Sequence, residues 1–143
     1  MPYLKIWIHL VWATKKREPF LQGTALRQQV WQHILDNARS KGIYLDCVNG
    51  YHDHVHCLMA LNSEQSIAKN VQLIKGESSY WINQQKIIPF KFAWQTEYFA
   101  VSVSQSMVER VRHYIHQQET HHRHKTYAEE YEELVQKHGF EVS

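Results

Sequence analysis

Residues 3–12 alternate in character. Leu4, Ile6, Ile8, Leu10 and Trp12 fall on one parity, and Tyr3, Lys5, Trp7, His9 and Val11 on the other, which is the period of a strand. Lys15-Lys16-Arg17-Glu18-Pro19 then breaks the pattern with charge and a proline. From Thr24 the period lengthens to that of a helix. Leu26, Val30, Ile34 and Ala38 share one face, and Gly42 fits as the stop. Ile43 to Val48 predicts a second strand, and Asn49-Gly50 predicts a hairpin turn after it. Tyr51 to Leu61 predicts a third strand, antiparallel to the second. A second helix is expected from Ser63 to about Ile82, with Ile67, Val71 and Ile74 on its apolar face. After Pro89, the stretch from Phe90 to Val103 reads as one or two further strands. Ser104 is placed to cap a third helix carrying Met107, Val108, Val111, Tyr114 and Ile115. A polar join, His121-His122-Arg123-His124-Lys125, follows. Thr126 with Glu129 forms a capping box that opens a last helix, and Gly139 ends it.

The predicted order is β-α-β-β-α-β with further helices appended. This is an α+β, ferredoxin-like split βαβ arrangement: an antiparallel sheet with helices on one face and extra C-terminal helices. No repeat, low-complexity tract or composition shift divides the chain, so residues 1–143 are expected to form one domain. The chain is 43% hydrophobic and 21% charged, ordinary for a soluble globular protein. No apolar run approaches the ~20 residues of a membrane span. Met1-Pro2-Tyr3-Leu4-Lys5 lacks the layout of a secretory signal, so a cytoplasmic location is expected. Cys47 and Cys57 each lie in an apolar strand-like run and read as buried free thiols.

The chemistry begins at Asp53-His54-Val55-His56-Cys57-Leu58. On a strand His54, His56 and Leu58 share one face, while Val55, Cys57, Met59 and Leu61 face a core. Two imidazoles side by side on rigid backbone make half of a metal site. The plainer reading is a hydrogen-bonded pair at a sheet surface, since the chain has 11 histidines. His52 would share the face of His54 and His56 if the strand started early. Asp53 is placed either to orient a ligand or to cap a turn. His121, His122 and His124 have no cysteine beside them and read as solvated or DNA-facing rather than as a zinc cluster.

A net charge of +2 points only weakly to a polyanionic partner. Five Trp, eight Tyr and five Phe, interleaved with basic residues, suit single-stranded nucleic acid, although most such rings belong to cores. Lys15, Lys16, Arg17, Lys75, Lys91 and Arg112 are candidate phosphate contacts, each with a solvated surface charge as the competing reading. Trp94 is a further candidate DNA contact.

A metal beside two histidines needs something to act with. Tyr114 and Gln118 are four residues apart, one helical turn, and a tyrosine beside a metal site is a plausible nucleophile on phosphate. Tyr80 and Gln84 share that spacing, and Tyr114 also sits at core spacing from Val111 and Met107, so spacing alone leaves the choice open.

Ordered motifs run along nearly the whole chain. They are Ile8-His9-Leu10-Val11-Trp12-Ala13-Thr14-Lys15-Lys16-Arg17-Glu18-Pro19, Asn49-Gly50 with the Asp53–Leu58 run, and Lys75-Gly76-Glu77-Ser78-Ser79. Trp94-Gln95 with Tyr98, Val101-Ser102-Val103-Ser104, and Tyr114-Ile115-His116-Gln117-Gln118-Glu119 with His121-His122 complete the series. In these the chain resembles the small single-tyrosine HUH transposases of the simplest bacterial insertion sequences, the IS200-like family. The resemblance implies Tyr114 as nucleophile, and His54, His56 and Gln118 as ligands of Mg²⁺ or Mn²⁺. It implies cleavage and rejoining of single-stranded DNA through a 5′-phosphotyrosine, with hairpins at element ends as partners. It implies a homodimer whose active sites are shared between subunits. Two positions depart from the family's usual pattern: Tyr51-His52 where Met-Pro is frequent, and Glu97 where glycine is common. The rival readings are a domesticated DNA-hairpin-binding protein that does not cut, and a zinc-binding metalloprotein.

Overall fold

The structure is a computed structural model, and it describes residues 3–122 and 124–139. Arg123 of the histidine-rich join lies outside them, as do Met1 and Pro2. Four strands, β1 (Ile6–Ala13), β2 (Tyr44–Tyr51), β3 (His54–Leu61) and β4 (Phe99–Val103), form an antiparallel sheet in the order β2-β3-β1-β4. Two helices, α1 (Thr24–Ser40) and α2 (Ile67–Gln85), make the crossovers. Three more follow the sheet: α3 (Val108–His116), α4 (Gln118–His121) and α5 (Tyr127–Lys137). The mixed α+β architecture is the expected one.

The alternation along β1 and β3 sorts the side chains between two layers. Ile8, Leu10, Trp12, Val55, Cys57 and Met59 face α1 and α2 in the main core. The opposite parity carries His9, Val11, His54, His56 and Leu58, and α3 to α5 cover that face. The C-terminal helices are thus a second layer over the sheet. Both cysteines are buried and free, as their sequence surroundings predict.

α1 ends as expected. Gly42 takes φ 78°, Gly42 N–H donates to Arg39 C=O (3.1 Å) and Ile43 N–H to Ala38 C=O (2.9 Å), a Schellman closure. The Thr126–Glu129 capping box is also present. α2 starts later than predicted. Asn62 accepts from Glu64 N–H (2.9 Å) to make a turn, and Ser66 is the cap, accepting from Lys69 N–H (3.1 Å). Of the stretch from Phe90 to Val103, only β4 is a strand, with one isolated bridge between Thr14 and Trp94.

The hairpin turn is not at Asn49-Gly50. Those residues pair with His56 and Val55, and the turn falls on His52-Asp53. Tertiary contacts hold it there: Leu21 N–H donates to His52 C=O (3.0 Å) and Thr14 N–H to Asp53 C=O (2.8 Å). Gly50 serves a different need. A Cβ at that position would lie 2.2 Å from the His54 carbonyl oxygen, so only glycine fits.

A second irregularity sets up the site. The β2–β3 register shifts between Leu45 and Cys47, leaving Asp46 as the extra residue of a bulge. Leu45 therefore faces the main core while Cys47 packs under α3. Asn49, on the parity of Cys47, donates to the carbonyls of Ile115 (2.9 Å) and His116 (3.3 Å) at the end of α3. Asp46 accepts two bonds from Arg112 of α3 (2.7 and 2.9 Å). The bulge thus seats the tyrosine helix.

Candidate active site

His54 and His56 project from the central strand β3 into the space under α3, α4 and α5, and both are fully buried. Tyr114 reaches the same space from α3. Gln118 reaches it from α4, after the helix breaks at Gln117. Its side chain is fully buried, and Oε1 lies 3.0 Å from His54 Nε2. The four residues singled out in the sequence come together within one chain, whereas the resemblance implies sites shared between two subunits. Tyr80, the alternative tyrosine, is exposed on α2, which packs on the other face of the sheet.

At their centre is a carboxylate that the sequence reading did not identify. Glu130 of α5 is buried, with 1% exposure. Its Oε1 lies 3.2 Å from both His54 Nε2 and His56 Nε2, and 2.9 Å from His122 Nε2. Its Oε2 accepts from Gln118 Nε2 (3.0 Å) and from the Tyr114 hydroxyl. A signal did exist. Tyr127, Glu130 and Leu134 fall on one helical stripe, which places a carboxylate on an otherwise apolar face. The neighbouring glutamates at 129, 132 and 133 obscured it.

His9 was also missed. From β1 its Nε2 meets His56 Nδ1 at 2.9 Å, with the rings stacked. The Nδ1–H of His54 donates to Asp53 (2.8 Å), so Asp53 both sits in the turn and orients a histidine. Tyr127 stacks on His54 with centroids 4.3 Å apart. His122 points inward, with its side chain 2% exposed, and so corrects the solvated reading; His124 is exposed. His52 sits in the turn, 3.7 Å from Asp53, and no bond links it to the other members of the site.

Burial and the company of His56 push His9 down to about 3, so it is neutral. Burial lowers His56 to about 4, against the pull of Glu130. Burial acts downward on His54 too, but the Asp53 and Glu130 carboxylates outweigh it and the group is raised. Burial alone would raise Glu130. The surrounding imidazoles, His56 first, hold it far below the usual carboxylate range. Burial and then the Glu130 charge raise Tyr114 well above an ordinary phenol.

The residue set fits a divalent cation. Gln118 Oε1 (3.0 Å) and Glu130 Oε1 (3.2 Å) both lie against His54 Nε2, and Glu130 Oε1 also meets His56 Nε2 (3.2 Å). His54, His122 and Glu130 each place a ligand atom within 4.8 Å of the others. This mix of imidazole nitrogens and oxygen ligands suits a divalent cation such as Mg²⁺ or Mn²⁺.

The candidate DNA contacts divide. Trp94 is core: it meets Trp12 and Phe92 edge-on and donates to Ser78 Oγ (2.8 Å). Lys75 is turned onto the carbonyls of Gln95, Thr96 (3.1 Å) and Glu97 (3.3 Å). Arg112 is held by Asp46 and Glu109. Lys15, Lys16 and Lys91 are exposed. Arg17 lies over the rings of Tyr127 (5.2 Å) and Tyr131 (5.4 Å), beside the histidine site. A groove of about 620 Å³ lined by His9, Val103, Tyr114, Glu130 and Lys137 opens the tyrosine to solvent. No helix among the described residues is long and apolar enough to cross a membrane.

Residues 3–118 match the family described as IS200-like transposases. A crystal structure of a protein from Deinococcus radiodurans R1, provisionally assigned as a transposase, is similar at TM-score 0.65 and 24% identity. That likeness covers 82% of this chain and 93% of the other. A REP-associated tyrosine transposase bound to a REP hairpin is similar at TM-score 0.51 and 18% identity, over 80% of this chain and 66% of the other. At these identities both likenesses concern the fold. No curated protein sequence is significantly similar to this one.

Proposed function

The chain belongs to the IS200-like transposase family, and from that premise we propose that it cleaves and rejoins single-stranded DNA through a phosphotyrosine at Tyr114. The observation that carries the reading is the gathering of Tyr114, His54, His56 and Gln118 around the buried Glu130 carboxylate. Tyr114 Oη loses its proton to solvent and attacks the scissile phosphorus, the P–O3′ bond breaks, and the leaving oxygen takes a proton from solvent, giving a 5′-phosphotyrosine and a 3′ hydroxyl. Glu130 Oε2, bonded to the phenol, holds its oxygen in place for attack. Return attack by a 3′ hydroxyl reverses the step and rejoins strands.

His54, His56 and Gln118 would hold the divalent cation. When bound, that ion polarises the phosphate and offsets its charge. Asp53 and His9 fix the two imidazole rings. Lys15, Lys16 and Arg17, on the turn beside Asp53, supply phosphate contacts at the mouth of the site. The DNA partner is a hairpin next to the cleaved strand, a reading supported by the hairpin-bound transposase of similar fold. The chain acts as one domain, in the cytoplasm where its element resides, and a homodimer would carry two such sites. Mass spectrometry of a covalent peptide–DNA adduct tests the proposal. A linkage on Tyr114 agrees with it, and a linkage on Tyr80 contradicts it.

A further inference from the structure

Glu130 does not belong to the residues that the family match covers, which end at 118, yet it occupies the middle of the site. Its two oxygens face different groups. Oε2 turns to Tyr114 and Gln118 Nε2, whereas Oε1 turns to His54, His56 and His122. We propose that Glu130 is a further protein ligand of the divalent cation, bound through Oε1 beside His54, His56 and Gln118. The inference rests on the metal-site reading above.

Spacing supports it. In an octahedral site with bonds of about 2.1 Å, neighbouring ligand atoms lie about 3.0 Å apart. His54 Nε2 to Gln118 Oε1 is 3.0 Å, and Glu130 Oε1 is 3.2 Å from each of the two Nε2 atoms. These three separations match the spacing of neighbouring ligands on one ion. The proton inventory agrees. His54 donates from Nδ1 to Asp53, so in the neutral ring the Nε2 lone pair faces Gln118 and Glu130, free to bind a cation. A cation at that point would satisfy all three acceptors in a dry site. A carboxylate also suits Mg²⁺ and Mn²⁺, which favour hard, anionic oxygen over neutral imidazole. It joins α5 to the chemistry: one carboxylate binds the ion and holds the nucleophile's hydroxyl next to it.

Manganese binding to the full chain tests this, read as loss of the free Mn²⁺ electron-spin-resonance signal, with far-ultraviolet circular dichroism as the folding control. Glu130→Gln keeps the shape and removes the charge, and is expected to weaken Mn²⁺ binding at least about tenfold. Glu130→Asp keeps a carboxylate and is expected to bind better than Glu130→Gln. A folded Glu130→Gln protein that binds Mn²⁺ like the parent overturns the inference. The paired substitution His54→Ala, His56→Ala separates the two levels. If it leaves Mn²⁺ binding intact, the metal-site reading itself fails. If it abolishes binding while Glu130→Gln does not, only Glu130 is misassigned. Anomalous diffraction from Mn²⁺-soaked crystals of the unaltered protein needs no variant. It is expected to place the ion roughly 2.2 Å from Glu130 Oε1. An ion on His54, His56 and Gln118 with Glu130 turned away overturns the proposal.

Discussion

Tyr114 and Glu130, sixteen residues apart, are joined by a hydrogen bond from the phenol of α3 to the carboxylate of α5. Because that carboxylate also meets His54 and His56, one buried side chain ties the tyrosine helix, the last helix and the central strand together. Several consequences can be measured.

The nearest concerns His9. It is neutral and can give or take a proton at His56 Nδ1, so it holds the ring whichever tautomer His56 adopts. His9→Phe should keep the stacking and lose the bond. The expected result is a 10- to 100-fold weaker Mn²⁺ affinity, read by titration, with the fold retained. Unchanged affinity would make His9 a packing residue only.

Gly50→Ala would drive a methyl group into the His54 carbonyl. The expected cost is about 1–3 kcal/mol of stability, seen as a lower thermal midpoint. Metal affinity should fall with it, because the strain falls on the backbone that carries His54.

The ion pair of Asp46 and Arg112 gives a pH signature. The hydrogen bond from Arg112 holds Asp46 below its ordinary value, despite some burial acting the other way. A carboxylate lowered in the folded state contributes stability above its unfolded pKa and loses it as pH falls through the folded value. Asp46→Asn should therefore cost up to about 1 kcal/mol at pH 7, and progressively less below pH ~4. Urea unfolding at both pH values checks this. A difference that grows on acidification would contradict it.

Salt dependence separates the basic residues. Lys15→Ala with Lys16→Ala should reduce the slope of log affinity for single-stranded DNA against log salt by about 1.4, or ~0.7 per phosphate. Lys75→Met should leave that slope unchanged, because Lys75 is occupied by the carbonyls of residues 95–97. It should instead cost about 1–2 kcal/mol of folding stability.

These cases mark how far the sequence could be read. The strands β1 and β3 were legible as short apolar runs bounded by polar breaks, and α5 because Thr126 and Glu129 form a local cap. The positions of His54, His56, Tyr114 and Gln118 followed from motif resemblance, and the fold brings the four side chains near one another. The turn at His52-Asp53 was not legible, since carbonyl contacts from Thr14 and Leu21 fix it. The bulge at Asp46 was equally hidden, because its partner Arg112 is 66 residues away. Glu130 and His9 escaped for a related reason. Glu130 stands in no motif and His9 only within the opening-strand run, and each acquires its role only when separate elements close on β3. Lys75 and Trp94 were read as DNA contacts from residue type alone, and the structure gives them internal partners instead.

The central claim is a metal-dependent tyrosine nuclease, and covalent capture tests it most directly. Labelled single-stranded DNA from the flanks of the gene, folded with its hairpins, would be incubated with the protein and Mg²⁺ or Mn²⁺, then run on a denaturing gel. The account predicts a shifted band that needs the metal and disappears in Tyr114→Phe and in the paired substitution His54→Ala, His56→Ala. A band that persists in Tyr114→Phe, or tight hairpin binding with no adduct under any metal, would contradict it.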